Sequence, residues 1–213
     1  MIRIEERMLA DLRERVMKLM SPKRFCHTVA VEEMAARLGE LFCPEEIDAL
    51  RAAALLHDIT KERTTEEQET ICRTHGLSVS ESDRLAPKTF HARTAAALIP
   101  TEYPEFADPT VINAVRWHTT GHAGMTLTEK LIYLADYIDE SRSFPACVLL
   151  RRYFWGAYPE RMTAAERETL LRDTLILSFD LTVRDLLDEG RPIAEDTVMA
   201  RNELLLEKKR AEA

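Results

Sequence analysis

The chain has 213 residues and a formal net charge of -8, and 46% of its residues are hydrophobic. This length and composition are typical of a folded globular protein and exclude an intrinsically disordered chain, which would bury too little apolar surface to form a core. The excess of negative charge disfavours DNA or RNA as a partner, because binding to nucleic acid depends on neutralising phosphates with Lys and Arg.

Apolar residues recur at about one helical turn through the first quarter of the chain. They predict a first helix over residues 4–16 and a second that begins at Pro22 and ends at Gly39. Pro44 marks a third start, because proline suits the first turn of a helix. The Ala- and Leu-rich stretch over residues 47–59 is therefore expected to be a central buried helix.

The rest of the chain has the same helical punctuation. A helix that begins near Thr65 is expected to close at His75-Gly76, and a polar segment over residues 78–88 follows. Alternation typical of strands and the Asn-Gly or Asp-Gly turns of hairpins are absent from the sequence. We therefore predict an all-α orthogonal bundle in one domain. Its later helices are expected over residues 89–99, 109–119, 126–140, 146–156, 164–189 and 196–210.

Export and membrane segments are not apparent in the sequence. The first 20 residues mix both signs of charge, unlike a secretory signal peptide, and no apolar run approaches the ~20 residues that span a bilayer. The cysteines form no CxxC pair, so neither a zinc ribbon nor a disulfide framework is expected. We expect a cytoplasmic protein that contacts no membrane.

The strongest local signal for chemistry is the segment AAALLHDITK, in which His57 and Asp58 end the most apolar predicted helix. A buried carboxylate is costly without a partner, so Asp58 needs a capping role, an ion pair or a metal if it lies inside. The alternative is an exposed helix end, and the dipeptide alone favours that alternative.

Other histidines and an aspartate change this balance. His27, His91 and His118 each lie in apolar surroundings on a separate predicted helix, and Asp136 lies within the apolar segment LIYLADYID. A single buried histidine is more often a hydrogen-bonded packing residue than a ligand. Four such histidines out of six in the chain, with two such aspartates, indicate a shared polar site.

The order and spacing of these residues resemble those of the HD-domain phosphohydrolase superfamily. The chain is similar within it to the YqeK family of symmetrical bis(5'-nucleosyl)-tetraphosphatases, over about residues 22–206. The segments that carry the resemblance are SPKRFCHTVAVEEMAARLG, LLHDITK, FHARTAA, INAVRWHTTG, EKLIYLADYIDESR and DTVMARNELL.

This resemblance implies a fold, a cofactor and a reaction. The fold would be the HD-type helical bundle over residues 1–213, with a metal-site core at about 22–142 and helices at about 146–210 packed on it. The cofactor would be iron, as Fe²⁺ or Fe³⁺, which another transition metal could replace. The reaction would be symmetrical hydrolysis of diadenosine tetraphosphate, and of related dinucleoside polyphosphates, to ADP. The implied metal ligands are His27, His57, Asp58 and Asp136.

The resemblance also implies residues for the substrate. Lys61 would lie on the phosphate chain, Arg142 follows the second metal aspartate by six residues, and Asp58, Lys61, His91 and His118 form the expected catalytic set. In the segment GRPIAEDT, Ala194-Glu195 stands where the family frequently has His-Pro, which weakens that part of the assignment. The expected substrate-binding residues are His27, Asp58, Ile59, Thr60, Lys61, His91, His118, Asp136, Arg142, Ile193, Asp196 and Thr197.

The donor types fit this chemistry. Two imidazoles and two carboxylates suit a borderline or hard cation, which would activate water and polarise a phosphoryl oxygen. Two alternatives stay open: an HD hydrolase of another nucleotide, and a nucleotide-binding sensor without turnover. A nucleotide is the expected partner, and a homodimer is a further hypothesis.

Overall fold

Caps and prolines set the helix boundaries in the computed structural model, which describes residues 4–212 apart from the side chain of Ser82. Thr64, Thr126 and Thr163 each begin a helix with a capping box, in which the hydroxyl accepts from the backbone N–H of a glutamate three residues later. The α-helices are α1 (Glu6–Met17), α2 (Pro22–Phe42), α3 (Ile47–Leu56), α4 (Thr65–Thr74), α5 (Glu81–Leu85), α6 (Phe90–Glu102), α7 (Pro109–Trp117), α8 (Leu127–Ile138), α9 (Pro145–Gly156), α10 (Ala164–Asp188) and α11 (Glu195–Ala211).

The all-α class predicted from the sequence is confirmed, since the described residues 4–212 contain no strand. None of their helices is both long enough and apolar enough to cross a membrane. Gly76 adopts a φ of 67°, and the predicted end of α4 at this glycine is therefore correct.

The predicted end of α2 at Gly39 is wrong, because the helix continues to Phe42. A Cβ at position 39 would lie 2.8 Å from Ile47 Cγ1 and 2.9 Å from Leu50 Cδ1. The glycine thus serves the close packing of α2 on α3. Gly39 does not adopt the positive φ with which a glycine ends a helix.

Two other boundaries differ from the sequence prediction. The polar segment over residues 78–88 contains the short helix α5, which Ser80 and Asp83 begin with a capping box. Helix α6 continues past Pro100 to Glu102. Proline removes one backbone hydrogen bond there, and the helix ends within the next turn.

Helix α3 lies at the centre of the core. Its residues 52–56 are fully buried, and the helix packs against α1, α2, α7 and α8. Three consecutive alanines let these neighbours approach closely. Helix α10 packs against α8, α9 and α11. The C-terminal end of α3, where His57 follows, is therefore enclosed by other helices.

Candidate metal centre and adjoining cavity

The His57-Asp58 pair lies in a turn directly after α3. His57 is 0% exposed and Asp58 is 3% exposed, so the pair is not an exposed helix end. The backbone N–H of Lys61 donates to the Asp58 carbonyl at 2.9 Å and closes this turn. The apolar helix therefore places two polar side chains inside the protein, where they need partners.

His27 from α2 and Asp136 from α8 meet this turn. Asp136 Oδ1 lies 3.0 Å from His27 Nε2 and 3.7 Å from His57 Nε2. Asp58 Oδ2 lies 3.8 Å from His27 Nε2 and 3.4 Å from His57 Nε2. Two helices and one turn thus bring each of these two carboxylate oxygens within 4 Å of both imidazole nitrogens.

These donors fit a divalent metal ion. Nε2 of His27 and Nε2 of His57 are buried, and within the described residues 4–212 neither has a partner in hydrogen-bond geometry. Buried polar atoms are nearly always satisfied, so two facing, unpaired imidazole nitrogens beside carboxylates indicate a cation. Two overlapping groups have ligand spacing: His27 with His57 and Asp136, and His57 with Asp58 and His118.

Three histidines are oriented by backbone carbonyls. Each Nδ1–H donates to the carbonyl three residues earlier in the chain, so each ring turns its Nε2 toward the site. The distances are 2.6 Å from His57 to Ala54, 2.7 Å from His91 to Lys88 and 2.7 Å from His118 to Val115.

His91 and His118 form a pair beside the metal group, with their Nε2 atoms 3.0 Å apart. Burial lowers the pKa of His118 to about 4 and, together with nearby Lys61, lowers the pKa of His91 well below its usual range. Both rings are therefore uncharged at neutral pH. Lys61 Nζ lies 3.1 Å from His91 Nε2, and Thr119 Oγ1 lies 3.1 Å from His118 Nε2, so each uncharged nitrogen has a donor.

Each of the two candidate metal carboxylates is paired with an arginine. Arg24 Nη1 donates to Asp58 Oδ2 at 2.7 Å, and Arg142 Nη2 donates to Asp136 Oδ1. Burial raises the pKa of both carboxyl groups, but the fields of His57 on Asp58 and of Arg142 on Asp136 lower it well below the usual range. Both groups are anionic and can ligate a cation.

A cavity of about 550 Å³ opens beside this cluster. Helices α9 and α10 and the segment before α11 complete its wall, and Tyr137 from α8 also lines it. Phe144 is 66% exposed at its edge. The polar and charged side chains that line the cavity include Lys61, Lys88, His118, Thr119, Asp136, Arg142 and Arg191.

Not all of the predicted substrate residues reach this cavity. Thr197 lines it, whereas Ile193 and Asp196 lie outside its lining. Ile59 and Thr60 are buried, and the Thr60 hydroxyl donates to the His91 carbonyl at 2.9 Å. Contact of these residues, and of the other predicted site residues, with substrate stays a prediction.

Several residues of the site were not identified from the sequence. Arg24 lies one helical turn before His27, and Thr119 follows His118 directly, so proximity to the histidines was the available signal. Lys88 and Arg191 stand in polar segments that resemble ordinary solvent-exposed loops. Their position at the cavity depends on the tertiary fold.

Comparisons with known proteins agree on one family. The sequence model of the HD domain matches residues 24–141. A protein of Halalkalibacterium halodurans named symmetrical bis(5'-nucleosyl)-tetraphosphatase is 34% identical over 87% of this chain and 91% of its own length. A protein of the same name from Bacillus subtilis is 33% identical over 89% of this chain and 94% of its own length. The crystal structure of a predicted HD superfamily hydrolase involved in NAD metabolism, from Clostridium acetobutylicum, has a TM-score of 0.80 at 30% identity, covering 93% of this chain and 97% of that one.

Proposed function

The chain belongs to the HD-domain family and to the symmetrical bis(5'-nucleosyl)-tetraphosphatases, and from this membership we propose how its residues carry out the reaction. The protein is a metal-dependent hydrolase that converts diadenosine tetraphosphate and one water molecule into two ADP. The observation that carries the residue assignment is the convergence of four imidazole and carboxylate donors beside a cavity that Lys61 and Arg142 line; three of the donors are buried, and Asp136 is partly buried.

The ion would be held by His27, His57, Asp58 and Asp136. We propose iron, as Fe²⁺ or Fe³⁺, which another transition metal can replace, because two imidazoles and two carboxylates suit such borderline cations. When bound, the ion supplies a water of lowered pKa and polarises a phosphoryl oxygen. The two unpaired Nε2 atoms support this ligand set.

Lys61 and Arg142 would bind the phosphate chain. Phosphoryl transfer passes through a highly charged transition state, so positioned cations contribute much of the rate. Lys61 offers a point charge, and Arg142 offers a planar fork for two phosphate oxygens. Lys88 and Arg191 line the same cavity and add positive charge for a substrate with four phosphates.

His91 and His118 would contact the phosphates, and both rings would be uncharged before substrate binds. Their surroundings disfavour imidazolium in the resting site, because burial lowers the pKa of both rings. An arriving phosphate brings negative charge, which favours the protonated form. Either ring can then donate a proton to the departing ADP, with Lys61 beside His91 as a neighbouring proton donor.

The chain would form one domain, in which the helices at about 146–210 pack on the core at about 22–142, as the contacts of α10 with α8 support. It would be cytoplasmic, in keeping with four free cysteines. It would form a homodimer, for which the exposed apolar residues Leu149 and Tyr153, one turn apart on α9, offer a surface.

An Asp58→Ala variant tests the residue assignment. We expect it to lose both metal binding and hydrolysis while circular dichroism stays helical. Asp188→Ala, at the exposed end of α10, is the matched control and should keep both. If Asp58→Ala keeps full activity after metal depletion, the assignment is wrong. A wild-type protein that binds metal and nucleotide without hydrolysing any nucleotide would instead be a sensor.

A further inference from the structure

His27 is oriented differently from the other three histidines of the site. Its Nδ1 faces side chains of the turn that follows α8, and among residues 4–212 it has no backbone carbonyl as a partner. Ser141 Oγ lies 3.1 Å from His27 Nδ1, and Asp139 Oδ1 lies 3.5 Å from the same atom. The opposite nitrogen of the ring, Nε2, is the one that faces Asp136.

The hydrogen bonds in this group have a defined direction. The Ser141 hydroxyl donates to Asp139 Oδ1. Asp139 is 0% exposed, and its Oδ1 also accepts from the backbone N–H of Ser141, so this oxygen serves as an acceptor. Since the hydroxyl proton of Ser141 is directed at Asp139, its oxygen is left to accept from His27 Nδ1–H.

The turn that carries these groups is fixed at several points. The backbone N–H of Ser141 donates to Asp139 Oδ1 at 2.9 Å. Arg151 from α9 donates to the Ile138 carbonyl at 2.8 Å and to the Arg142 carbonyl at 2.8 Å. The serine hydroxyl is therefore presented by rigid backbone, which is what a positioning group requires.

We propose that Ser141 and Asp139 are positioning residues that keep the proton on Nδ1 of His27 and direct its Nε2 lone pair at the metal. This inference rests on the proposed function, in which His27 is a ligand. Groups that accept the second N–H of a ligating histidine orient the ring and raise its basicity. The same turn carries Arg142, so one element would set both a metal ligand and a phosphate-binding cation.

The test compares the Mn²⁺ affinity of serine variants of the full chain, with free Mn²⁺ measured by electron paramagnetic resonance. Ser141→Ala removes the hydroxyl but keeps the backbone N–H that closes the turn. We expect its Mn²⁺ affinity to fall about 10- to 100-fold, as is typical when such a partner of a ligand is removed. Ser141→Thr retains a hydroxyl and should bind within about threefold of wild type.

Ser143→Ala is the matched control, an exposed serine two residues further along, and should bind as wild type does. The unfolding midpoint of the metal-free variants in urea checks that the turn is intact. If Ser141 had a purely structural role, the unfolding midpoint of Ser141→Ala would fall below that of wild type. The Mn²⁺ affinity of Ser141→Thr would then fall as far as that of Ser141→Ala, and the positioning role would be wrong.

Two further results would overturn the inference, and they are distinguishable. If His27→Ala loses Mn²⁺ affinity but Ser141→Ala binds as tightly as wild type, the positioning role is wrong and the metal assignment stands. If His27→Ala itself binds Mn²⁺ as tightly as wild type, the ligand set of the proposed function is wrong, and the positioning role fails with it.

Discussion

His91 and His118 face each other across 3.0 Å through Nε2 atoms that both carry lone pairs. Each ring donates its Nδ1–H to a backbone carbonyl and accepts from a neighbour at Nε2, from Lys61 for His91 and from Thr119 for His118. This arrangement keeps two uncharged imidazoles beside the carboxylate of Asp58. It makes the site sensitive to acid.

The stability of the metal-free protein should fall in acid because of His118. Burial lowers the pKa of His118 to about 4, against about 6.5 when unfolded. Between these values the unfolded chain binds a proton that the folded chain does not. The contribution of His118 is therefore complete above pH 6.5 and is lost as the pH falls toward 4.

Urea unfolding at pH 7.5 and pH 5.0 measures this loss. We expect wild type to lose about 2 kcal/mol more than His118→Gln between the two values, because glutamine does not titrate. Equal losses in the two proteins would show that His118 is not held uncharged by the fold.

Metal affinity should rise with pH because of His27. Burial lowers the pKa of His27, but the carboxylates of Asp136 and Asp139 outweigh it and raise the pKa to about 9. The ring must lose a proton before Nε2 can ligate, so affinity should rise about tenfold per pH unit between pH 7 and 9.

Mn²⁺ titration at pH 7.0, 7.5 and 8.0 checks this slope, and calorimetry in two buffers of different ionisation enthalpy counts the released protons. About one proton per ion is expected at pH 7. An affinity that stays constant over this range would mean that His27 is not a ligand or is already deprotonated.

Lys61→Ala should separate turnover from metal binding. The amine lies beside His91 Nε2 and lines the cavity, so its loss should remove transition-state stabilisation and lower kcat about 10²-fold. Mn²⁺ affinity should change little. Lys130→Ala, which removes a surface lysine 3.5 Å from Glu207, is the control and should keep wild-type kcat. Loss of the ion from Lys61→Ala would show that the lysine supports the metal.

Gly39→Ala should destabilise the protein by about 1–3 kcal/mol, because a Cβ would meet Ile47 and Leu50 at under 3 Å in a packed interface. Gly156→Ala, at the end of α9, is the matched control, since a Cβ there has no atom within 4 Å. Urea unfolding of both variants gives the comparison. A Gly39→Ala protein as stable as wild type would contradict the role assigned to α2–α3 contact.

Local sequence signals were sufficient for most helices and for the site histidines. Apolar periodicity and proline starts depend on neighbours within one or two turns, so α2 and α7 could be predicted from them. Gly39 could not be interpreted in this way. A glycine can end a helix, or it can allow a neighbouring helix to pack closely. Only the packing of α2 against α3 shows that Gly39 has the second role.

The partners of the site residues could not be predicted for a related reason. Arg24 and Asp58 are 34 positions apart, and His27 and Ser141 are 114 positions apart. Their contacts depend on how the helices cross in space. The apolar periodicity of a single helix does not show how that helix crosses another. The burial of His57 and Asp58 likewise follows from the helices around α3, whereas the His-Asp dipeptide alone favours an exposed helix end.

Product analysis of diadenosine tetraphosphate in water labelled with ¹⁸O tests the central claim most directly. Iron-loaded wild-type protein should yield ADP as the sole nucleotide product, with one ¹⁸O for every two ADP. The Asp58→Ala variant should show no turnover. Formation of AMP together with ATP in amounts comparable to ADP would contradict symmetrical hydrolysis by this site.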